Sequence, residues 1–463
     1  MTVERMASVD AAWLHMDRPT NLMVVNAALL FDQALDWGAV TAAIEQRFVA
    51  TFPRFRQRVA DPPLTLGRLG GPSWLDDPTF RLRDHLRRHR LHGATREEAL
   101  RRYVSRHMSV PLDRTRPLWE AHLLDGYGEG SALLLRMHHA IADGIAFVQL
   151  LLTLTDSEAG ADDGARLAIA DPPDDRGGFL RAAKEAAATA SRVTSRLMDG
   201  YVEAVTHPRT AVEVAAAVGA NAAALRTLSL PLASDRSVLH GPLGVAKWAD
   251  WSRPAPLRTI RRVGRATGCT VNDIMLATIA GALRRYLAGR GPVPELVRAL
   301  VPVNLRPPGA PLPRGLGNRF GLVFVDLPVG AEAGRDRLAR VSRQMSQIKA
   351  SQEGLLVYGG LGMMGQSPVQ VQRAWGDLFS ARADAVITNV VGPRRRAVLA
   401  GRPLRGLIAW VPTSGPIGLG LSIVSYDGSV TVGVTADARL IPDRRALLDA
   451  LETEIDGLPR LGG

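Results

Sequence analysis

Arg136-Met137-His138-His139-Ala140-Ile141-Ala142-Asp143-Gly144 is the stretch whose reading decides the fold. Just upstream, Leu133, Leu134 and Leu135 form a continuous apolar run, which suits a strand covered on both faces. Downstream, Ile145, Val148, Leu151 and Leu152 recur at helical spacing, which predicts a helix starting just after Gly144. Two imidazoles, a carboxylate and a glycine thus sit where a buried strand turns into a helix, in the kind of rigidly held loop that carries reacting groups. Three readings compete. In the first, His138 and His139 are ordinary polar residues at a strand end and Asp143 caps the helix. In the second they bind a metal, but neighbouring side chains in a strand point to opposite faces and are poorly placed to share one ion. His85 and His89 have i, i+4 spacing, yet arginines crowd them and no cysteine cluster accompanies them. In the third, one histidine is the general base for a weak oxygen or nitrogen nucleophile, because neutral imidazole titrates closest to physiological pH. The third is carried forward, with Asp143 fixing the loop and no metal expected.

His-His-x-x-x-Asp-Gly resembles the signature of the acyltransferase superfamily that includes chloramphenicol acetyltransferase, peptide-synthetase condensation domains and plant acyl-CoA-dependent acyltransferases. Further blocks narrow the resemblance to bacterial wax ester synthase/diacylglycerol acyltransferases. They are Pro111-Leu112-Asp113-Arg114-Thr115-Arg116-Pro117-Leu118-Trp119-Glu120, Thr270-Val271-Asn272-Asp273, Val303-Asn304-Leu305-Arg306 and Thr388-Asn389-Val390-Val391-Gly392-Pro393. The opening Val9-Asp10-Ala11-Ala12-Trp13-Leu14-His15, followed by Pro19-Thr20-Asn21, is similar to that family's start. The blocks keep the family's order from about residue 8 to about 457. The plant branch's Asp-Phe-Gly-Trp-Gly motif is absent, and Val391 stands where the family pattern leads one to expect proline.

The resemblance implies an α/β fold of two chloramphenicol acetyltransferase-like domains with mixed sheets and an active-site channel at their interface. The expected division is 1–155 for the domain carrying the histidine motif, 156–244 for a linker and helical crossover, and 245–463 for the C-terminal domain. The implied activity is acyl-CoA-dependent O-acyl transfer of a long fatty chain to diacylglycerol or a long-chain alcohol. Acyl-CoA is then a co-substrate, and no bound cofactor is expected. The rival readings are an acyltransferase with a carrier-bound polyketide or peptide acceptor, and a catalytically silent lipid-body protein. Carried over by residue, the resemblance makes His139 the base and His138 a support of the loop. It ties Asp143 to a distant arginine, for which Arg306 is expected, and makes Asn272 the group that polarises the carbonyl. Gly144, Trp119, Asn304 and Arg306 are expected around the substrate. Trp119 would shape the acyl-pocket wall, and Gly144 would relieve backbone strain or let substrate approach closely.

The 463 residues suffice for two ordinary domains, and 46% hydrophobic with 22% charged residues describes a globular chain. The net charge of +12 invites a nucleic-acid reading. Only Lys184, Lys247 and Lys349 are lysines, so 54 of the 57 basic residues are arginines, spread along the chain. That is a compositional bias and not a localised phosphate-reading patch, so no nucleic-acid partner is expected. A basic surface would still suit anionic lipid or the phosphates of coenzyme A. Cys269 stands alone, which leaves no intrachain disulfide, and its place before a helical stretch favours a structural role. Residues 1–10 carry both charge signs and no long apolar core, and no run of 18 to 20 apolar residues follows. The expectation is a cytoplasmic protein, peripheral at most on the inner membrane or on lipid inclusions.

Taken in order, strands are expected at 22–31, 52–59, 64–69, 118–124 and 133–137, and helices at 37–48 and 96–108. The charged stretch 80–92 reads as a solvated face. Residues 156–178 read as a linker. Two Ala-rich helices follow at 179–198 and 209–228, broken near His207-Pro208, forming a crossover or lying on a membrane. A helix over 270–287 opens on Thr270 as N-cap, with Asn272 and Asp273 in its first turn; capping alone would also explain them. Strands at 298–303, 321–327, 385–391, 404–411, 418–425 and 429–436, with helices at 338–348 and 444–455, complete the chain. Asp427-Gly428 signals a hairpin.

Overall fold

The computed structural model describes residues 3–60, 71–157, 169–170, 239–307, 310–350, 353–364 and 369–462. Two sheets organise them. The first runs Gly406–Trp410, Val24–Phe31, Gly130–His138, Trp119–Tyr127, Leu86–Arg90. Its central strands Val24–Phe31 and Gly130–His138 are buried along their whole length, which is why they read as apolar runs and not as alternation. They pair antiparallel, with Val24 opposite His138 and Phe31 opposite Ser131. The edge strand Leu86–Arg90 lies parallel to Trp119–Tyr127.

The second sheet runs Lys247–Trp251, Ser429–Asp437, Leu419–Tyr426, Ala385–Val391, Val297–Asn304, Phe320–Leu327. Ala385–Val391 is parallel to both neighbours and the other pairings along that path are antiparallel, so the sheet is mixed. The long helix Val271–Ala288 packs on it, opened by a capping box in which Thr270 and Asp273 satisfy each other's backbone N–H groups. The Asp427-Gly428 hairpin has both residues at positive φ, 42° and 74°, as a tight turn between twisted strands requires.

Gly406–Trp410 belongs by sequence to the C-terminal segment, yet it completes the first sheet beside Val24–Phe31. It also binds the second sheet: Ser422 Oγ donates to the Ala409 carbonyl, and any side chain at Gly433 would overlap that same oxygen. The two sheets are thereby tied together at one strand. Within the expected linker, Asp156–Ser157 pairs with Ala397–Leu399 and Ile169–Ala170 pairs with Leu312–Pro313. The strand expected at 64–69 and the Ala-rich helices expected at 179–198 and 209–228 lie outside the described residues.

Several local expectations change. The helix from Trp37 ends at Ile44 and continues as a π-turn, Glu45–Val49. Residues 52–59 open with the 3-10 turn Pro53–Phe55, because Pro53 favours a first helical position over a strand interior. Inside the charged stretch, Leu86–Arg90 is a sheet edge with four of its five residues exposed, while His85 is buried against Trp119. Among the described residues, four helices escape the periodicity reading: Ser8–Met16, Leu257–Thr267, Glu353–Met364 and Val369–Ser380. Among the described residues, no single helix is long and apolar enough to cross a membrane.

Candidate active site

His139 is pinned by its backbone from both parts of the chain. Its N–H donates to the Met23 carbonyl at 2.7 Å, and its own carbonyl accepts from Asn318 Nδ2 at 2.8 Å. The ring stacks on Trp13 with centroids 4.5 Å apart and meets Phe320 at 5.5 Å. Nδ1 is buried and has no hydrogen-bond partner among the described residues. Burial pulls the imidazole pKa down to about 4, against the opposing pull of the Asp143 charge. The ring is therefore neutral at physiological pH, the form that accepts a proton.

Asp143 ends the turn as the N-cap of the helix Gly144–Thr153, its Oδ1 accepting from Ala146 N at 2.8 Å. Its Oδ2 accepts from Arg306 Nη1 at 2.5 Å and from Arg319 N at 2.9 Å. Arg306 Nη2 donates in turn to the Gly317 carbonyl, and Gly317 N donates to the Ile141 carbonyl at 2.8 Å. Gly317 has φ +99°, a conformation that favours glycine. Beside it, Asp10 Oδ1 accepts from both the N–H and the Nδ2 of Asn318, at 3.0 and 2.7 Å. Two buried carboxylates, Asp143 and Asp10, thus clamp residues 317–319 against the turn that presents His139. Burial pushes the Asp10 carboxyl up to about 7, more than its hydrogen bonds from Asn318 pull it down.

His138 faces elsewhere. Its Nδ1 accepts from Ala140 N at 3.0 Å, and its Nε2 lies 3.8 Å from Asp17 Oδ2. Burial alone would raise the Asp17 pKa. His138, the Met23 N–H and Arg114 outweigh that and hold the carboxyl below its ordinary value.

The His139 ring forms part of the wall of a cavity of about 880 Å³, counting its open mouth. Trp13, Met23 and Val148 line it from one side, Leu300, Phe320 and Val386 from the other, with Trp410 and Val411 between. The walls are apolar apart from His139, Asp143, Thr388, Asn389 and a Thr413–Ser414–Ser422 group. Such a cavity, apolar with a few polar groups, is the usual form of a small-molecule site.

The wax ester synthase/diacylglycerol acyltransferase catalytic domain matches residues 6–275. The chain belongs to that family. The family's C-terminal domain matches residues 316–458. A putative diacylglycerol O-acyltransferase of Mycobacterium tuberculosis is 28% identical over 96% of this chain and 88% of its own. A probable diacylglycerol O-acyltransferase of the same species is 29% identical over 98% and 95%. Among solved structures, the wax ester synthase/diacylglycerol acyltransferase of Marinobacter aquaeolei VT8 superposes with a TM-score of 0.66 at 23% identity, covering 99% of this chain and all of that one. The first condensation domain of the calcium-dependent antibiotic synthetase gives 0.64 at 17% identity, covering 100% and 97%. Both share the fold, and the protein is an acyltransferase.

In this acyltransferase the expected site residues separate into two groups. His139, Asp143 and Gly144 line the cavity. Asn272 does not: its Oδ1 accepts from Asn389 Nδ2 at 2.9 Å, so Asn389 stands at the wall and Asn272 behind it. Trp119 is not in the wall either. It sits opposite Met137, stacks on His85 at 4.7 Å and donates its Nε1–H to the Phe55 carbonyl, which makes it core. The tryptophans of the channel are Trp13 and Trp410. Asn304 is exposed at a strand end, where its Oδ1 accepts from Arg306 N, and Arg306 is buried on Asp143. Neither lines the channel. Gly144 has no positive φ and a Cβ there would meet nothing within 4 Å, so it leaves open space and relieves no strain. Val391 ends its strand opposite Ser425 with its side chain exposed. Sequence reading passed over Trp13, Asn318, Phe320 and the channel role of Asn389. The available signal for Asn389 is an amide inside the otherwise apolar strand Ala385–Val391.

Proposed function

We propose that this acyltransferase moves a long-chain fatty acyl group from a coenzyme A thioester to the hydroxyl of diacylglycerol or a long-chain alcohol. The observation that supports this most directly is a neutral, buried imidazole at the wall of an apolar channel. An alkanol is too weak an acid to ionise unaided, so His139 takes its proton as the oxygen attacks the thioester carbonyl. The new C–O bond forms, an oxyanion develops, and the C–S bond then breaks to release thiolate. An imidazolium destabilised by burial gives its proton readily to the departing sulfur. We assign polarisation of the carbonyl to Asn389, oriented by Asn272, with a single such donor worth about 10²–10³ in rate. Asp143 and His138 hold the loop.

The acceptors are lipids, so the reading carries a peripheral placement on the inner membrane or on lipid inclusions. The test offers palmitoyl-CoA with hexadecanol and with diolein, measuring thiol release and separating the products. Alcohol-dependent thiol release with wax ester or triacylglycerol as product is the expected result. His139→Ala should reduce it by roughly 10²–10⁴ with the melting transition retained. A wild-type protein that releases no thiol with either acceptor overturns the proposal.

A further inference from the structure

The helix Leu257–Thr267 carries Arg258, Arg261, Arg262 and Arg265 and no acidic residue. Its buried side is Ile260 and Val263, and all four arginines are exposed. Arg258, Arg261 and Arg265 fall on one face, and like charges three and four residues apart weaken a helix. Nothing in the packing requires them, and among the described residues no carboxylate pairs with any of the four. Those three arginines line a groove of about 1040 Å³, open to solvent, whose other wall is the hairpin tip Asp427, Gly428 and Ser429. The groove's carboxylate, Asp427, is met by Arg396 at 3.2 Å.

The groove lies at the end of the second sheet where Leu419–Tyr426 turns into Ser429–Asp437. Ala385–Val391 and Leu419–Tyr426 run parallel, and the channel wall takes Asn389 from one and Ser422 from the other. Beyond Ser422 the second of these strands runs directly into the Asp427–Ser429 tip. From Asn389 a second connection passes through Asn272, back across Thr270 and the left-handed Gly268 (φ 71°), to Arg265. Two chain paths therefore join Asn389 and Ser422 of the channel wall to the arginine face. A crevice outside the carboxyl ends of parallel strands is a recurrent place for phosphate-bearing ligands.

We propose that this groove binds the phosphate groups of a nucleotide-linked acyl donor, with its thioester arm entering the channel past Asn389. The inference rests on the acyl-CoA reading above. Guanidinium groups meet phosphate through paired N–H···O bonds, and three on one face suit a ligand with several phosphates better than a single carboxylate. A phospholipid headgroup offers the same phosphate chemistry, and the chain connections to Asn389 and Ser422 of the channel wall favour the acyl donor.

The test is the triple variant Arg258→Gln, Arg261→Gln, Arg265→Gln. It is compared with wild type on octanoyl-CoA and on S-octanoyl-N-acetylcysteamine, which keeps the thioester and lacks every phosphate. KM for octanoyl-CoA should rise about tenfold or more, while kcat/KM for the truncated donor stays unchanged. Calorimetric titration with free coenzyme A should show the same loss without relying on turnover. Equal coenzyme A affinity in both proteins overturns the proposal. Loss of sedimentation with phosphatidylglycerol vesicles at unchanged coenzyme A affinity overturns it too, and assigns the arginines to a lipid surface. Wild-type protein that turns over the truncated donor but neither binds coenzyme A nor uses its thioester refutes the acyl-CoA reading itself.

Discussion

Arg306 meets Asp143 across 163 positions of the chain, Nη1 to Oδ2 at 2.5 Å, with both side chains buried. The pair joins the loop after Val297–Asn304, in the second sheet, to the turn that presents His139 from the first. Asp143 makes none of its hydrogen bonds to the imidazole, so it acts on the reaction through the shape of the loop and through its charge, which opposes the burial that lowers the His139 pKa.

Breaking such a pair leaves the surviving charge buried and uncompensated. Asp143→Ala and Arg306→Ala should each cost about 3–5 kcal/mol of stability and lower activity with it. The double variant should lose clearly less than the sum, because the second substitution removes the orphaned charge. Denaturant melts of the four proteins check this, and simple additivity would refute the coupling.

The strand–turn–helix around the histidines was legible because three leucines and a 3.6-residue repeat flank it, and the helix does begin at Gly144. The Arg306 partner was legible only through the family's block order, since no local rule links positions so far apart. Block membership misled where it could not specify a face. Trp119 belongs to a family block yet points into the core, and Asn304, in another, serves the turn beside it. The crossing strand Gly406–Trp410 is unremarkable as sequence. Its place in the first sheet is set by its register against Val24–Phe31, a relation that only the folded chain reveals. Trp13, Asn318 and Phe320 are ordinary in type and become site residues by meeting at His139, the two aromatics at its ring and Asn318 at its carbonyl.

The pH profile should carry the mark of the buried base. A pKa lowered from 6.5 to about 4 keeps His139 deprotonated above roughly pH 5. In Asp10→Asn protein, which lacks the carboxyl that titrates near 7, kcat/KM should therefore be flat between about pH 5.5 and 8, with no inflection in the range of an exposed histidine. Thiol release across buffers of constant ionic strength measures it. An ascending limb centred near 6.5 would show that the imidazole titrates unburied, contrary to the stacking on Trp13.

Asp10 should leave a signature in stability. Its folded pKa is about 7 against 3.8 in the unfolded chain, so between those values the unfolded state ionises first. The fold loses stability from this group as pH rises from about 4 to 7, and the loss stays constant above. Asp10→Asn keeps an oxygen for the Asn318 N–H groups and cannot ionise. The melting temperature of the variant relative to wild type should be higher at pH 8 than at pH 4.5, and an equal difference at both would show that Asp10 ionises normally.

Gly144 tests the channel itself. It is the first residue of its helix and lies in the cavity wall with His139, and a side chain there would enter space that nothing fills. Gly144→Ala should fold as well as wild type or gain about 0.4–1 kcal/mol, since alanine restricts the unfolded chain. Gly144→Phe should also fold, because its Cβ position is open and lies in the cavity wall. It would occupy the route of the alkyl chain beside the base, and a misplacement of about 1 Å at the reacting atoms already costs on the order of 10²-fold. Turnover of palmitoyl-CoA with hexadecanol should fall by roughly that factor in the Phe variant at a nearly unchanged melting temperature. Wild-type turnover in a folded Phe variant would mean that substrate reaches His139 by some other path.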